Sequence, residues 1–394
     1  MSGSVIVGGA RTPIGKLAGE LAGLGATSLG SLAIAEALRR AGVAPERVDY
    51  VVMGHVLQAG QGQITARQAA VGAGIPMAVP ATTVNKVCLS GLNALHLADL
   101  MIRAGDAEVV VAGGMESMSG APYLLPGARA GFRFGDQHVL DVIQSDGLRC
   151  AFEEISMGEA TGRFADKAGI GRAEQDAFAA RSHARAAAAT AAGLFAEEIV
   201  PVTVPARRGD PLVVATDEGI RPETTAESLA ELRPAFQGGG SITAGNASQI
   251  SDGAAALVVT SAGVAERLGA APLAEIVGYG QVAGPDTSLL TQPSRAIVEA
   301  LRRAGLALGE VDLFEVNEAF AAVALASVDD LGIPDDLVNV NGGAIALGHP
   351  IGMSGARLAL TLSYELARRG GGTGAAALCG GGGQGDALVL RTPR

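Results

Sequence analysis

The chain carries three cysteines, and two of them, Cys88 and Cys379, stand where a strand-like segment gives way to a turn of small residues. Cys88 lies in Val84-Asn85-Lys86-Val87-Cys88-Leu89-Ser90-Gly91, and Cys379 ends Ala375-Ala376-Ala377-Leu378-Cys379 ahead of four glycines. So few cysteines make no disulfide framework, and the two are read as reagents. The segment after Cys88 reads as a helix, whose first N–H groups and positive dipole end favour a thiolate and can hold an oxyanion. A small buried thiol is the competing reading for either cysteine. His349, between Gly348 and Pro350, titrates in the range that suits a base for a thiol. Its alternative is a loop histidine bonded to backbone. Asn317 follows a strand and begins an apolar helix, so it is either an N-cap or a polar group of the site. His55, His96, His138 and His183 read as structural or exposed.

Other patterns fall away on context. Gly380, Gly382 and Gly385 match G-x-G-x-x-G, but a strand follows where a dinucleotide site needs a helix. The stretch from Gly9 to Lys16 resembles a phosphate-binding loop, but Leu17 stands in place of Ser or Thr. No cysteine or histidine pair has zinc-ligand spacing, so no metal is expected.

The elements that must position these residues come in two copies. Glu36-Ala37-Leu38-Arg39-Arg40-Ala41-Gly42 precedes Val48-Asp49-Tyr50-Val51-Val52, and Glu299-Ala300-Leu301-Arg302-Arg303-Ala304-Gly305 precedes Val311-Asp312-Leu313-Phe314-Glu315 at the same spacing. Each reads as an amphipathic helix, a glycine stop and a strand. Cys88-Leu89-Ser90-Gly91 and Gly352-Met353-Ser354-Gly355 each open a further apolar helix that leads to a strand, Glu108–Ala112 or Ala375–Leu378. Alternating strands and helices in two halves imply a layered α/β fold. Between the halves, roughly over 119–249, lie Pro- and Gly-punctuated stretches, an Ala-rich helix over Glu174–Ala192 and polar loops from Pro205 to Gly240. So long an excursion reads as a substrate-binding insert.

Composition narrows the partners. A net charge of −11, with no strongly basic stripe, argues against nucleic acid, and 3% aromatic residues provide little for base stacking. The 48% hydrophobic fraction fits a well-buried protein, no unbroken apolar run is of membrane-spanning length, and Ala319–Val328 reads as a buried helix. Without a signal-peptide pattern, a cytoplasmic location is expected.

Taken together, Val84–Gly91, Asn317–Ala321, Gly342–Pro350 and Cys379–Gly383 resemble, in order and approximate spacing, the signature blocks of the thiolases. Ala10–Pro13, Gly113–Ser117 and Thr243–Ser248 extend the resemblance over essentially the whole chain, with the acetyl-CoA acetyltransferase branch the best match. The resemblance implies a five-layer αβαβα core of two duplicated halves, 1–118 and 270–394. The insert, 119–249, would return to the first half near 240–268. It implies condensation of two acetyl-CoA molecules to acetoacetyl-CoA, or the reverse thiolysis, with no tightly bound cofactor and a homodimer or homotetramer. Cys88 would be acylated, His349 its base, Cys379 the group that moves the α-proton, Asn317 the holder of an enolate-bound water, and Gly381 an oxyanion donor beside Cys88. Arg221, Ser228, Ala244 and Ser248 would contact CoA, and Met157 and Phe320 would line its pantetheine and acyl end. Three departures stand out: Ser156 for a histidine, Leu89 for a glycine and Gly380 for an isoleucine. They leave open a thiolase of longer 3-ketoacyl chains. A non-catalytic acyl-CoA binder is the rival of another class, and a decarboxylating ketosynthase lies further off.

Overall fold

The computed structural model describes residues 3–206, 209–236 and 240–393, so 207–208 and 237–239 of the expected polar loop lie outside the described residues. The first half runs β1 (Ser4–Arg11), α1 (Ala26–Ala41), β2 (Tyr50–Gly54), α2 (Thr65–Gly72), β3 (Ala81–Val84), α3 (Ser90–Ala104) and β4 (Val109–Ser117). The middle segment supplies α4 (Met157–Ala168) and α5 (Arg172–Ala191), and then returns as β5 (Ser251–Ser261) between β1 and β4. The second half runs β6 (Ala274–Ala283), α6 (Gln292–Ala304), β7 (Leu313–Val316), α7 (Ala321–Leu331), α8 (Ser354–Arg368), β8 (Gly372–Gly380) and β9 (Gln384–Thr392).

The duplication is explicit in the pairing. In the first half β1 and β5 are antiparallel, β5 and β4 antiparallel, and β4, β2 and β3 parallel. In the second half β6 and β9 are antiparallel, β9 and β8 antiparallel, and β8 and β7 parallel. The halves join where Val5 and Ile6 of β1 meet Glu275 and Ala274 of β6, which makes one continuous mixed sheet. Helices α1 and α2 cover the outer face of the first half, α6 and α7 that of the second. Between them α3 and α8 pack on each other and touch strands of both halves, giving the αβαβα layering.

Local chemistry explains the repeat. Helices α1 and α6 both stop at a glycine in the left-handed region, Gly42 at φ 65° and Gly305 at φ 69°, which frees the chain to turn into the next strand. In both, one glutamate (Glu36 or Glu299) grips the two arginines that follow it. The apolar stripe of α3, with Leu92, Leu95 and Ala98 fully buried, meets Leu358, Ala359 and Leu362 of α8 in the central core. Val87–Ala104 is by length and composition apolar enough to cross a membrane, contrary to expectation. In the fold, Leu92, Leu95 and Ala98 of this segment are buried, and its helix packs on α8 and on strands of both halves.

Candidate active site

The two middle helices meet at their N-terminal turns, and there the chemistry converges. A β-carbon on Gly91 would lie 2.8 Å from Ala356 N, and one on Gly355 would lie 2.4 Å from Leu92 N. Only glycine lets the backbones approach so closely. The approach brings the Cys88 turn of one half against the His349 loop of the other.

Cys88 sits on a strained turn. Val87, a β-branched residue, has φ 51°, in the left-handed region such side chains avoid. Ser90 clamps it: its Oγ donates to Val87 O at 2.6 Å and accepts the Lys86 N–H at 2.8 Å, while Asn85 Oδ1 accepts the Val87 N–H. The backbone N–H groups of Cys88 and Gly381 both reach the Cys88 sulfur. Helix α3 begins two residues later, at Ser90. The expectation that the helix end would favour a thiolate is corrected: burial outweighs those N–H groups and pushes the thiol up to about 12. Cys379, fully buried at the end of β8, is likewise pushed upward by burial and by the neighbouring Cys88. At both cysteines the surroundings thus favour the neutral thiol.

His349 lines the same cavity as the two thiols. Burial, with help from the Arg357 charge, lowers its pKa to about 3, so the ring is neutral. Its Nδ1 lies 2.6 Å from Ser354 Oγ, whose only proton goes to Pro350 O at 2.9 Å. Ser354 must therefore accept from Nδ1–H, which leaves the lone pair on Nε2. The Asn317 amide N–H faces that Nε2 at 3.4 Å, while Asn317 Oδ1 is buried without a hydrogen-bond partner among the described residues. Helix α7 starts at Ala321 with Phe320 at its N-cap, so Asn317 caps nothing.

Cys88, Cys379, His349 and Gly381 line one inner cavity of about 50 Å³ together with Met157, Ser248 and Phe320. A larger, mostly apolar cavity of about 430 Å³ shares His349, Met157, Ser248 and Phe320 and continues past Ala244 to Lys16 and Leu17. Arg221 and Ser228 line neither. Ser228 is exposed and closes a capping box with Thr225. The Arg221 backbone N–H donates to His183 Nδ1 at 3.2 Å, and its guanidinium lies 3.1 Å from Nε2. One neutral imidazole accepts at only one nitrogen, so the guanidinium is loosely held.

Comparison with known proteins decides the family. Residues 4–263 match the model of the thiolase N-terminal domain and residues 270–392 that of the thiolase C-terminal domain. The chain belongs to the thiolase family. This thiolase is 58% identical to a probable acetyl-CoA acetyltransferase of Mycolicibacterium smegmatis, over 98% of the chain and 100% of that protein. It is 51% identical to the acetyl-CoA acetyltransferase of Cupriavidus necator, over 99% of both. The crystal structure of the Bacillus anthracis acetyl-CoA acetyltransferase superposes with a TM-score of 0.97 at 42% identity, covering 100% of this chain and 99% of that one.

Several residues of the thiolase site escaped the sequence reading. Ser354 orients His349, and its signal was available: it occupies the place in the second repeat that Ser90 holds in the first. Glu116 accepts N–H groups from Val56, Leu57 and Gly352 and lies 3.3 Å from His55, tying the two halves beneath the site. Burial raises its carboxyl to about 7. Glu318 binds Ser182, Asn339 and the Ile345 N–H, holding the glycine loop that leads to His349.

Proposed function

We propose that this thiolase is an acetyl-CoA C-acetyltransferase that joins two acetyl-CoA molecules into acetoacetyl-CoA and CoA, and runs the reverse thiolysis, through an acetyl-Cys88 intermediate. The observation that carries the reading is the pairing of two thiols in one small cavity with a neutral histidine whose free nitrogen is fixed by Ser354. His349 Nε2 takes the proton of Cys88 as sulfur attacks the thioester carbonyl, and the N–H groups of Cys88 and Gly381 receive the oxyanion. Collapse breaks the carbon–sulfur bond to CoA, whose thiolate takes the proton of Cys379. The Cys379 thiolate then removes an α-proton from the second acetyl-CoA. The enolate oxygen is held by protonated His349 and by a water on Asn317 Oδ1. Attack on acetyl-Cys88 forms the carbon–carbon bond, and the released Cys88 sulfur recovers its proton from His349. Every proton is accounted for, and both thiols end as they began.

The larger cavity suits a pantetheine arm, with Ala244, Ser248, Met157 and Phe320 along it. Arg221 and Ser228, which line neither cavity, would on this reading meet CoA only beyond its pantetheine arm. The inner cavity, with room for only a few water-sized groups, favours acetyl and acetoacetyl over a ten-carbon chain. A cytoplasmic setting and a homo-oligomer go with the proposal. Exposed Tyr123 (66%) and Phe134 (98%) support assembly, which light scattering tests. We take 1–118, 119–249 and 270–394 as working boundaries of half, insert and half. Mass spectrometry after incubation with acetyl-CoA is the decisive test. An acetyl group on Cys88, absent in Cys88→Ser and retained in Cys379→Ser, is expected; no adduct on the wild type overturns the proposal.

A further inference from the structure

Leu89 follows the nucleophile and is completely buried. Its side chain does not point along its own helix layer alone. A β-carbon built on Gly380 would lie 2.5 Å from Leu89 Cγ and 2.7 Å from its Cδ1. Leu89 thus fills the side-chain space that Gly380 leaves empty. Val87 neighbours the next residue: a β-carbon on Gly381 would lie at ordinary contact distance, 3.5 Å from Val87 Cγ2 and 3.6 Å from its Cγ1. Leu89 and Val87 thus lie next to the two glycines that follow Cys379, Leu89 against Gly380 and Val87 near Gly381. Beside them the Gly381 N–H reaches the Cys88 sulfur. Leu89 N is anchored to Lys86 O at 3.2 Å, and its carbonyl accepts Asn93 N–H at 2.8 Å, so the leucine cannot shift without moving the nucleophile turn.

We propose that Leu89 is a positioning residue, a strut that uses the space over Gly380 to set the distance between the Cys88 turn and the Cys379–Gly381 segment. Interiors are close-packed, so a buried isobutyl group transmits its volume to whatever it touches. Here it touches both segments that carry the thiols. The departures at 89 and 380 are one feature: the bulk between the segments comes from the nucleophile's side and not from the strand. The inference rests on reading Cys88 as the acylated thiol.

The test is a double-mutant cycle of Leu89→Gly, Gly380→Leu and the pair together, with kcat, KM for acetyl-CoA, melting temperature and the rate of Cys88 alkylation by iodoacetamide. Each single change is expected to lower kcat by roughly tenfold or more, since small misplacements of reacting groups cost about that much. KM should stay within about threefold, and the swapped pair should regain most of the lost kcat. A pair no better than the product of the singles, or Leu89→Gly with kcat and alkylation within about twofold of wild type, overturns the proposal. If Leu89→Gly does not fold, Leu89→Val and Leu89→Met decide. A fall in kcat and a changed alkylation rate at unchanged melting temperature support the strut, and loss that tracks melting temperature alone overturns it. Absence of an acetyl adduct on wild-type Cys88 would strike the functional reading instead, and the alkylation cycle would still report on the strut.

Discussion

In the proposed mechanism His349 acts as a base only while its proton stays on Nδ1, which makes Ser354 the residue on which activation of the thiol turns. Ser354→Ala is expected to reduce kcat by about 10- to 100-fold, the usual reach of general-base positioning, with KM little changed and partial rescue by Ser354→Thr. Steady-state kinetics on the two variants checks this. The half-buried Cys88 thiol carries its own pH signature. With Cys88 pushed up to about 12 and His349 held down to about 3, alkylation of the free enzyme should climb steadily from pH 6 to about 9. A plateau near neutral pH would show a thiolate already formed at rest. In the proposed mechanism Asn317 acts in the second half of the reaction. Asn317→Ala should still give acetyl-Cys88 while α-proton exchange, read by deuterium uptake into acetyl-CoA, falls by about 100-fold.

At the scale of elements, the N-terminal turns of α3 and α8 face each other through Gly91 and Gly355. Both neighbours are backbone, which does not give way as a side chain would. Gly91→Ala is expected to cost about 1–3 kcal/mol by overpacking, and to lower activity too, because the same turns carry Cys88 and lead from His349. Urea denaturation with parallel assays separates the two effects. The serines Ser90 and Ser354 show how the duplication was put to use. Each stands at the same place in its repeat and donates to a backbone carbonyl beside a catalytic candidate, Val87 O before Cys88 and Pro350 O after His349.

For the whole molecule, Arg11 is the joint between the first strand and the middle segment. Its guanidinium, with no solvent exposure, binds Asp217 at 2.6 and 2.9 Å and Glu198 at 2.7 Å. Removing it leaves two buried carboxylates facing each other, so Arg11→Met should destabilise by about 3–5 kcal/mol, measured by urea unfolding. Acid acts through the buried histidines. Burial, and then the Arg221 charge, hold His183 down to about 4 from an ordinary 6.5. Below 6.5 the unfolded chain binds a proton that the folded chain refuses, so this contribution is lost as the pH falls toward 4. The gap in melting temperature between wild type and His183→Gln should therefore narrow from pH 7 to pH 5.

Much of this was legible in the chain. The duplicated helix–glycine–strand patterns set the layered fold, because periodicity and glycine stops are local properties that a sequence carries openly. Residue type and order pointed to Cys88, Cys379, His349 and Asn317, since few side chains can do this chemistry. Protonation was not legible. The helix end suggested a thiolate, and burial, which depends on the whole packed molecule, overrode it. Nor could spacing show that Ser354 selects the tautomer of His349, that Asn317 leaves the helix cap to Phe320, or that Leu89 occupies the space over Gly380. The last joins segments far apart in the chain, and the first two, though local, take their form from loops that the rest of the fold holds in place, so only tertiary packing decides which atoms meet.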